Sequence, residues 1–155
     1  MPDTALLQQA RRFISALPHC QIIGLSVTAI DDQGVTLVLP YSPLLVGDPR
    51  SGVVHGGAVT TLMDSACGIA TLCVLPQFEV CPTLDLRIDY LHSAQPHKAV
   101  FGYAQCYRVT RDVIFTRGFA YQDSVEQPIV QVVGTFMRLG KAINGHPAAM
   151  QGGQP

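Results

Sequence analysis

The chain has 155 residues, about the size of one domain. Forty-eight per cent of them are hydrophobic and 14% are charged, which excludes a disordered chain and supplies a sizeable core. Ten basic residues balance eleven acidic ones, with no run of either sign, so neither nucleic-acid binding through a basic patch nor adhesion to an anionic membrane is expected.

Asp3 and Thr4 offer a cap for a first helix, in which Leu6, Leu7, Ala10, Phe13, Ile14 and Leu17 recur at helical spacing before Pro18 ends it. Such a helix lies on a surface or covers a sheet edge. Its Arg11-Arg12 pair follows the first apolar residues instead of preceding them, so the start does not read as a signal peptide and a cytoplasmic protein is expected. Over 21–40, Ile23, Leu25, Val27 and Ala29 alternate. Asp31-Asp32-Gln33-Gly34 then supplies turn chemistry, and Val35, Leu37 and Leu39 follow at period two, which predicts a β-hairpin. Residues 41–52, rich in Pro, Gly, Asp and Ser, read as a loop.

Residues 53–75, VVHGGAVTTLMDSACGIATLCVL, are nearly all apolar or small. The length suits a membrane span. Asp64 at its centre, Gly56-Gly57, Thr60-Thr61 and the missing basic flank argue instead for a helix buried on all sides in a core, closed by Pro76. In LDLRIDYL, Leu84, Leu86, Ile88 and Tyr90 alternate with Asp85, Arg87 and Asp89, a strand with one wet face. After a Pro-containing turn at 93–98, the segments 99–109, 113–121 and 129–138 read as three long strands of an antiparallel meander. The pattern is α+β: an N-terminal helix and a long buried central helix wrapped by an antiparallel sheet of about six strands. One domain is expected over 1–139, with a flexible tail at 140–155. The five cysteines form no CxxC and read as small buried hydrophobes of a reducing compartment.

The chemistry concentrates at His55-Gly56-Gly57 and Asp64. A carboxylate inside an apolar helix needs a use or a partner. The bland alternative is that it bonds a neighbouring backbone group. The functional one makes it a catalytic base or nucleophile. Two glycines at a helix start let a ligand approach backbone N–H groups that have no helical partner, and these would stabilise a developing oxyanion. Gly56 and Asp64 are eight residues apart, roughly 12 Å along a helix. Both reach one carbonyl only if a second, antiparallel copy supplies one of them, which predicts a two-fold homodimer. No GxSxG elbow, GxGxxG, P-loop or metal-ligand spacing of the five histidines is present, so no metal or cofactor is expected. Cys67 and Cys73 lack a nearby base in the sequence.

HGGAVTTLMDSACGIA, followed by the T-x-D-x-x-x-x-Y-L strand TLDLRIDYL and the closing strands, resembles the hotdog-fold acyl-CoA thioesterases of the phenylacetic-acid-degradation type (PaaI-like), in the 4-hydroxybenzoyl-CoA thioesterase superfamily. The resemblance covers residues 20–139. It implies hydrolysis of aryl or medium-chain acyl-CoA by a homodimer or homotetramer. It also implies roles for four residues. Asp64 attacks the thioester or activates water, the Gly56 N–H polarises the carbonyl, His55 shapes the helix entrance, and Thr83 orients water or nucleophile. Many members carry an Asn six residues before the HGG histidine; here that position is Pro49, between Asp48 and Arg50. Substrate contacts are expected at Gly57 and Pro49, at His92, Ser93 and Arg111 toward the nucleotide, and at Leu45, Val54 and Met63 toward the acyl group. Two alternatives remain beside this reading: a non-catalytic acyl-CoA binding module, and a hotdog hydratase or dehydratase using His55 and Asp64.

Overall fold

The computed structural model describes residues 4–140. The Asp3 cap and, beyond Gly140, the expected tail lie outside the described residues. The first helix, α1 (Thr4–Ala16), turns Ala10 and Ile14 into the core and packs on the first strand. The Arg11 Nε–H donates to the Val27 carbonyl at 3.0 Å and ties the two elements together.

Pro18 does more than end α1. It opens a second, short helix, α2 (Pro18–Ile23), closed by Gly24 at a φ of 75°. The first helical position needs no N–H partner, so a residue without an N–H is favoured there. Gln21 to Ile23 are therefore helical, where the alternation predicted strand. The hairpin itself is β1 (Ser26–Ile30) and β2 (Val35–Leu39). Asp31 Oδ1 closes its turn by accepting from the N–H groups of Gln33 at 2.8 Å and Gly34 at 3.0 Å. The expected loop at 41–52 is partly ordered into a 3₁₀ turn (Pro43–Leu45) and β3 (Val46–Asp48). β3 pairs antiparallel with β4 (Val53–Val54).

The central helix, α3, runs Gly56–Ala70 and tightens into a 3₁₀ turn at Thr71–Cys73. Val59, Leu62, Met63, Ala66, Cys67, Ile69 and Ala70 form its buried face. Burial on all sides, as the apolar run implied, does not hold within one chain. The opposite face, with Gly57, Thr61, Asp64 and Gly68, is exposed or half-buried. Those residues are small rather than apolar, and composition alone does not separate the two.

Four further strands follow: β5 (Thr83–Tyr90), β6 (Val100–Val109), β7 (Val113–Tyr121) and β8 (Val130–Met137). The six-stranded antiparallel sheet has the order β1-β2-β6-β7-β8-β5, and α3 packs on β2, β6, β7, β5 and β8. The meander β6-β7-β8 is as predicted. β5 pairs with β8 and forms an edge of the sheet, so Leu84 and Tyr90 remain 49% and 52% exposed although the alternation places them inward. Among the described residues, no helix is long and apolar enough to cross a membrane.

Candidate active site

His55 sits at the N-cap of α3 with extended backbone, and its Nδ1 accepts from the Gly57 N–H at 2.8 Å. An accepting Nδ1 puts the ring proton on Nε2. A Cβ on Gly57 would lie 2.9 Å from that Nδ1, so glycine is required for the histidine to cap. Gly56, the first helical residue, has no carbonyl one turn back for its N–H. Its own carbonyl accepts from the Tyr90 hydroxyl at 2.6 Å and from the Thr60 hydroxyl at 3.1 Å. A side chain on Gly56 would meet the Tyr90 hydroxyl at 3.2 Å and the ring at 3.3 Å.

Two clefts flank this helix start. One, of about 400 Å³, is lined by Val54, Gly56, Tyr90, Leu91, His92 and Ser93. It brings together four residues expected from the sequence: Val54, Gly56, His92 and Ser93. The Leu91 and His92 N–H groups both donate to the Ile129 carbonyl, at 2.9 and 3.2 Å, which anchors that rim to the start of β8. The other cleft, of about 370 Å³, is lined by His19, Leu44, Leu45, His55, Gly57 and Thr61. Leu45 thus lies beside His55, in a different cleft from Val54.

Asp64 is eight residues along α3 on its half-buried face. The Thr83 hydroxyl, at the start of β5, donates to Asp64 Oδ1 at 2.8 Å. The carboxylate is not enclosed in apolar surroundings, as the helix composition suggested, because it faces away from the row of Leu62, Ala66 and Ile69. Thr83 pairs with Phe136 and Tyr90 with Val130, at opposite ends of β8. Seven strand residues correspond to roughly 23 Å. One chain therefore holds two separate groups: a helix start with its clefts and, eight residues further along α3, a carboxylate with its hydroxyl.

The other expected residues distribute unevenly. Met63 is fully buried, packed where a side chain on Gly102 would lie 2.9 Å from its Sδ, so it belongs to the core and lines neither cleft. Arg111 is in the exposed β6–β7 turn, paired with Asp112 at 3.0 Å. β7 carries Val113 next to Met137 of β8, so that turn shares the Thr83 end of the sheet and is remote from His92 and Ser93. Pro49 is exposed in the turn between β3 and β4. Its neighbour Asp48 accepts from the Arg50 N–H at 3.1 Å and the Ser51 hydroxyl at 2.9 Å, and these bonds hold its carboxyl below the usual range. Asp48 closes the turn.

A cysteine nucleophile is disfavoured, because burial pushes the Cys67 thiol up to about 12 and the Cys73 thiol up to about 11. Among the described residues, no group of three His, Cys, Asp or Glu side chains is arranged to hold a metal. The sequence reading missed Tyr90 and Thr60. The available signal was a tyrosine at a helix-facing strand position, whose hydroxyl needs a polar partner.

The family model for the thioesterase superfamily matches residues 51–142, a span that holds His55, Gly56, Asp64, Thr83 and Tyr90. An Escherichia coli protein named medium/long-chain acyl-CoA thioesterase YigI is 25% identical over 104 residues, covering 57% of this chain and 66% of its own. The first curated relatives are matched over only 50% to 66% of their length. A crystal structure of a Pseudomonas aeruginosa protein is 69% identical, with a TM-score of 0.81, covering 86% of this chain and 99% of the other. A mutant of the phenylacetic acid degradation protein PaaI from Thermus thermophilus is 22% identical with a TM-score of 0.68, covering 79% and 100% of the two chains, and shares the fold.

Proposed function

The chain belongs to the thioesterase superfamily and has its hotdog fold, and from that premise we propose that it hydrolyses acyl-CoA thioesters to a free acid and CoA. The observation that carries the proposal is the pairing of Thr83 with Asp64, 19 residues apart in sequence and 2.8 Å apart in space. It gives a carboxylate a fixed direction. The Gly56 N–H at the helix start supplies the complementary dipole for the carbonyl oxygen.

In the proposed reaction, Asp64 attacks the thioester carbonyl carbon or takes a proton from a water that does. The carbonyl oxygen gains negative charge and is held by the Gly56 N–H. Collapse breaks the C–S bond, CoA leaves as thiolate and takes up a proton, and the acid is released, after hydrolysis of the anhydride if Asp64 was the nucleophile. The 12 Å between Gly56 and Asp64 along the helix supports a site shared by two chains, each giving one half. The cleft of Val54, Leu91, His92 and Ser93 is assigned to substrate. The name of the Escherichia coli relative, a medium/long-chain acyl-CoA thioesterase, supports a medium- or long-chain acyl group.

The test is thiol release from a panel of acyl-CoA thioesters, with wild type and Asp64→Asn side by side. Turnover of a subset that vanishes in the variant is expected. Near wild-type rates in Asp64→Asn would sink the mechanism. Binding without turnover by the wild type would favour the acyl-CoA binding module, with Pro49, which offers no side-chain donor in its exposed turn, as the cause.

A further inference from the structure

We propose that the Tyr90 and Thr60 hydroxyls clamp the backbone beside the Gly56 N–H, making Tyr90 a positioning residue for hydrolysis; this rests on the acyl-thioester reading above. Two successive glycines at a helix start have wide backbone freedom, and the first turn of a helix lacks half of its hydrogen bonds. An N–H that polarises a carbonyl is effective only if its direction is set before the reaction. Something must hold it.

The peptide joining Gly56 to Gly57 is held from both sides. Its N–H donates to His55 Nδ1 at 2.8 Å. Its carbonyl accepts from Tyr90 at 2.6 Å and from Thr60 at 3.1 Å. The two hydroxyls are 2.7 Å apart, so three contacts share two O–H protons. The shorter contact assigns the Tyr90 proton to the carbonyl, with Thr60 donating to the same small cluster. The preceding peptide, which carries the Gly56 N–H itself, is pinned through its carbonyl by the Ala58 N–H at 3.0 Å. Both planes flanking the Gly56 Cα are therefore fixed. A Cβ on Gly56 would press on the Tyr90 hydroxyl and ring at 3.2–3.4 Å, so the residue that restrains this peptide also disfavours a side chain there. Tyr90 comes from the last position of β5, 34 residues further along, so the oxyanion dipole is set by the sheet and not by the helix alone.

The test is steady-state kinetics on an acyl-CoA thioester turned over by wild type, with Tyr90→Phe, Thr60→Val, Thr60→Ser and the Tyr90→Phe/Thr60→Val pair. Tyr90→Phe keeps the ring and loses the hydroxyl. It should lower kcat about five- to tenfold, the worth of one hydrogen bond felt in the transition state. KM should stay within about twofold, as for an interaction not used in ground-state binding. Thr60→Ser should retain wild-type kcat, and the pair should lose less than the product of its singles, because both hydroxyls serve one carbonyl. Unchanged kcat in Tyr90→Phe, a loss confined to KM, or losses that multiply would each overturn the inference while leaving the thioesterase reading intact. A wild type inert on every acyl-CoA overturns both.

Discussion

Replacing Thr83 by Val removes one O–H and little else. The side chain keeps its shape, and a β-branched residue suits the start of a strand, so β5 should form. What is lost is the 2.8 Å bond to Asp64 Oδ1. Hydrogen bonds to charged acceptors contribute about 1.5–3 kcal/mol. Thr83 is exposed and Asp64 half-buried within the chain, so the lower end, about 1.5 kcal/mol, applies. At about 1.4 kcal/mol per decade, that amounts to roughly a tenfold fall in kcat. The assay is thiol release from the best acyl-CoA of the panel, with Thr83→Ser as the control that restores the donor. The reasoning fails if Thr83→Val turns over within twofold of wild type, or if Thr83→Ser is as slow as the valine variant. Either result would mean that Asp64 is oriented by something other than this hydroxyl.

The thiols predict an alkaline limit to stability. Cys67 and Cys106 are raised by burial to about 12 and Cys73 to about 11, from an ordinary value of 9.0. The folded chain then keeps protons that the unfolded chain gives up. Stability is intact below pH 9 and falls as pH rises toward these folded values, by about 1.4 kcal/mol per pH unit per thiol. Denaturant titrations from pH 8 to 10.5 should show this slope, and a flat profile would refute it. The Arg138–Glu79 pair, 3.0 Å apart with Glu79 at 8% exposure, predicts a second stability effect. Arg138→Met should lower the melting midpoint by stranding a buried carboxylate, whose other oxygen has no hydrogen-bond partner among the described residues. Glu79→Leu in the same chain should recover much of the loss, and a double variant no more stable than the single would refute the account.

Most of the strands were legible because period-two alternation survives in β2, β7, β8 and in β6 up to its bulge at 106–108, whereas in β1 a bulge after Val27 turns Ala29 out and Ile30 in. The helix start was legible because His55-Gly56-Gly57 has few uses elsewhere in a fold. What alternation does not carry is neighbourhood. It told which residues of β5 share a face, but not that β5 pairs with β8 and ends the sheet, and so Leu84 and Tyr90 read as core. The same gap placed Arg111 with His92 and Ser93, when strand pairing sets the β6–β7 turn at the other end of the sheet. Met63 could have been assigned from spacing: it is four residues from both Val59 and Cys67, on one row of α3, and that row is buried. Pro18 has two meanings, helix stop and helix start, and composition does not choose between them.

The overestimate of burial in 53–75 has a physical origin that bears on the proposed two-chain site. The face of α3 opposite the core carries Gly57, Thr61, Asp64, Ser65 and Gly68, none of which has a long side chain. A surface helix with nothing to cover it has no need of such a face, since long charged side chains serve solubility better there. Small residues are what a second helix needs if its axis is to come within 8–10 Å. An antiparallel partner that brings its Asp64 beside this chain's Gly56 must cross midway between them, at Thr60. Thr60 is also the residue whose hydroxyl backs Tyr90 on the Gly56 carbonyl. On this reading, the crossing point of the two helices and the clamp on the oxyanion backbone are one place. The glycines and threonines that diluted the apolar run are then what lets the two half-sites meet.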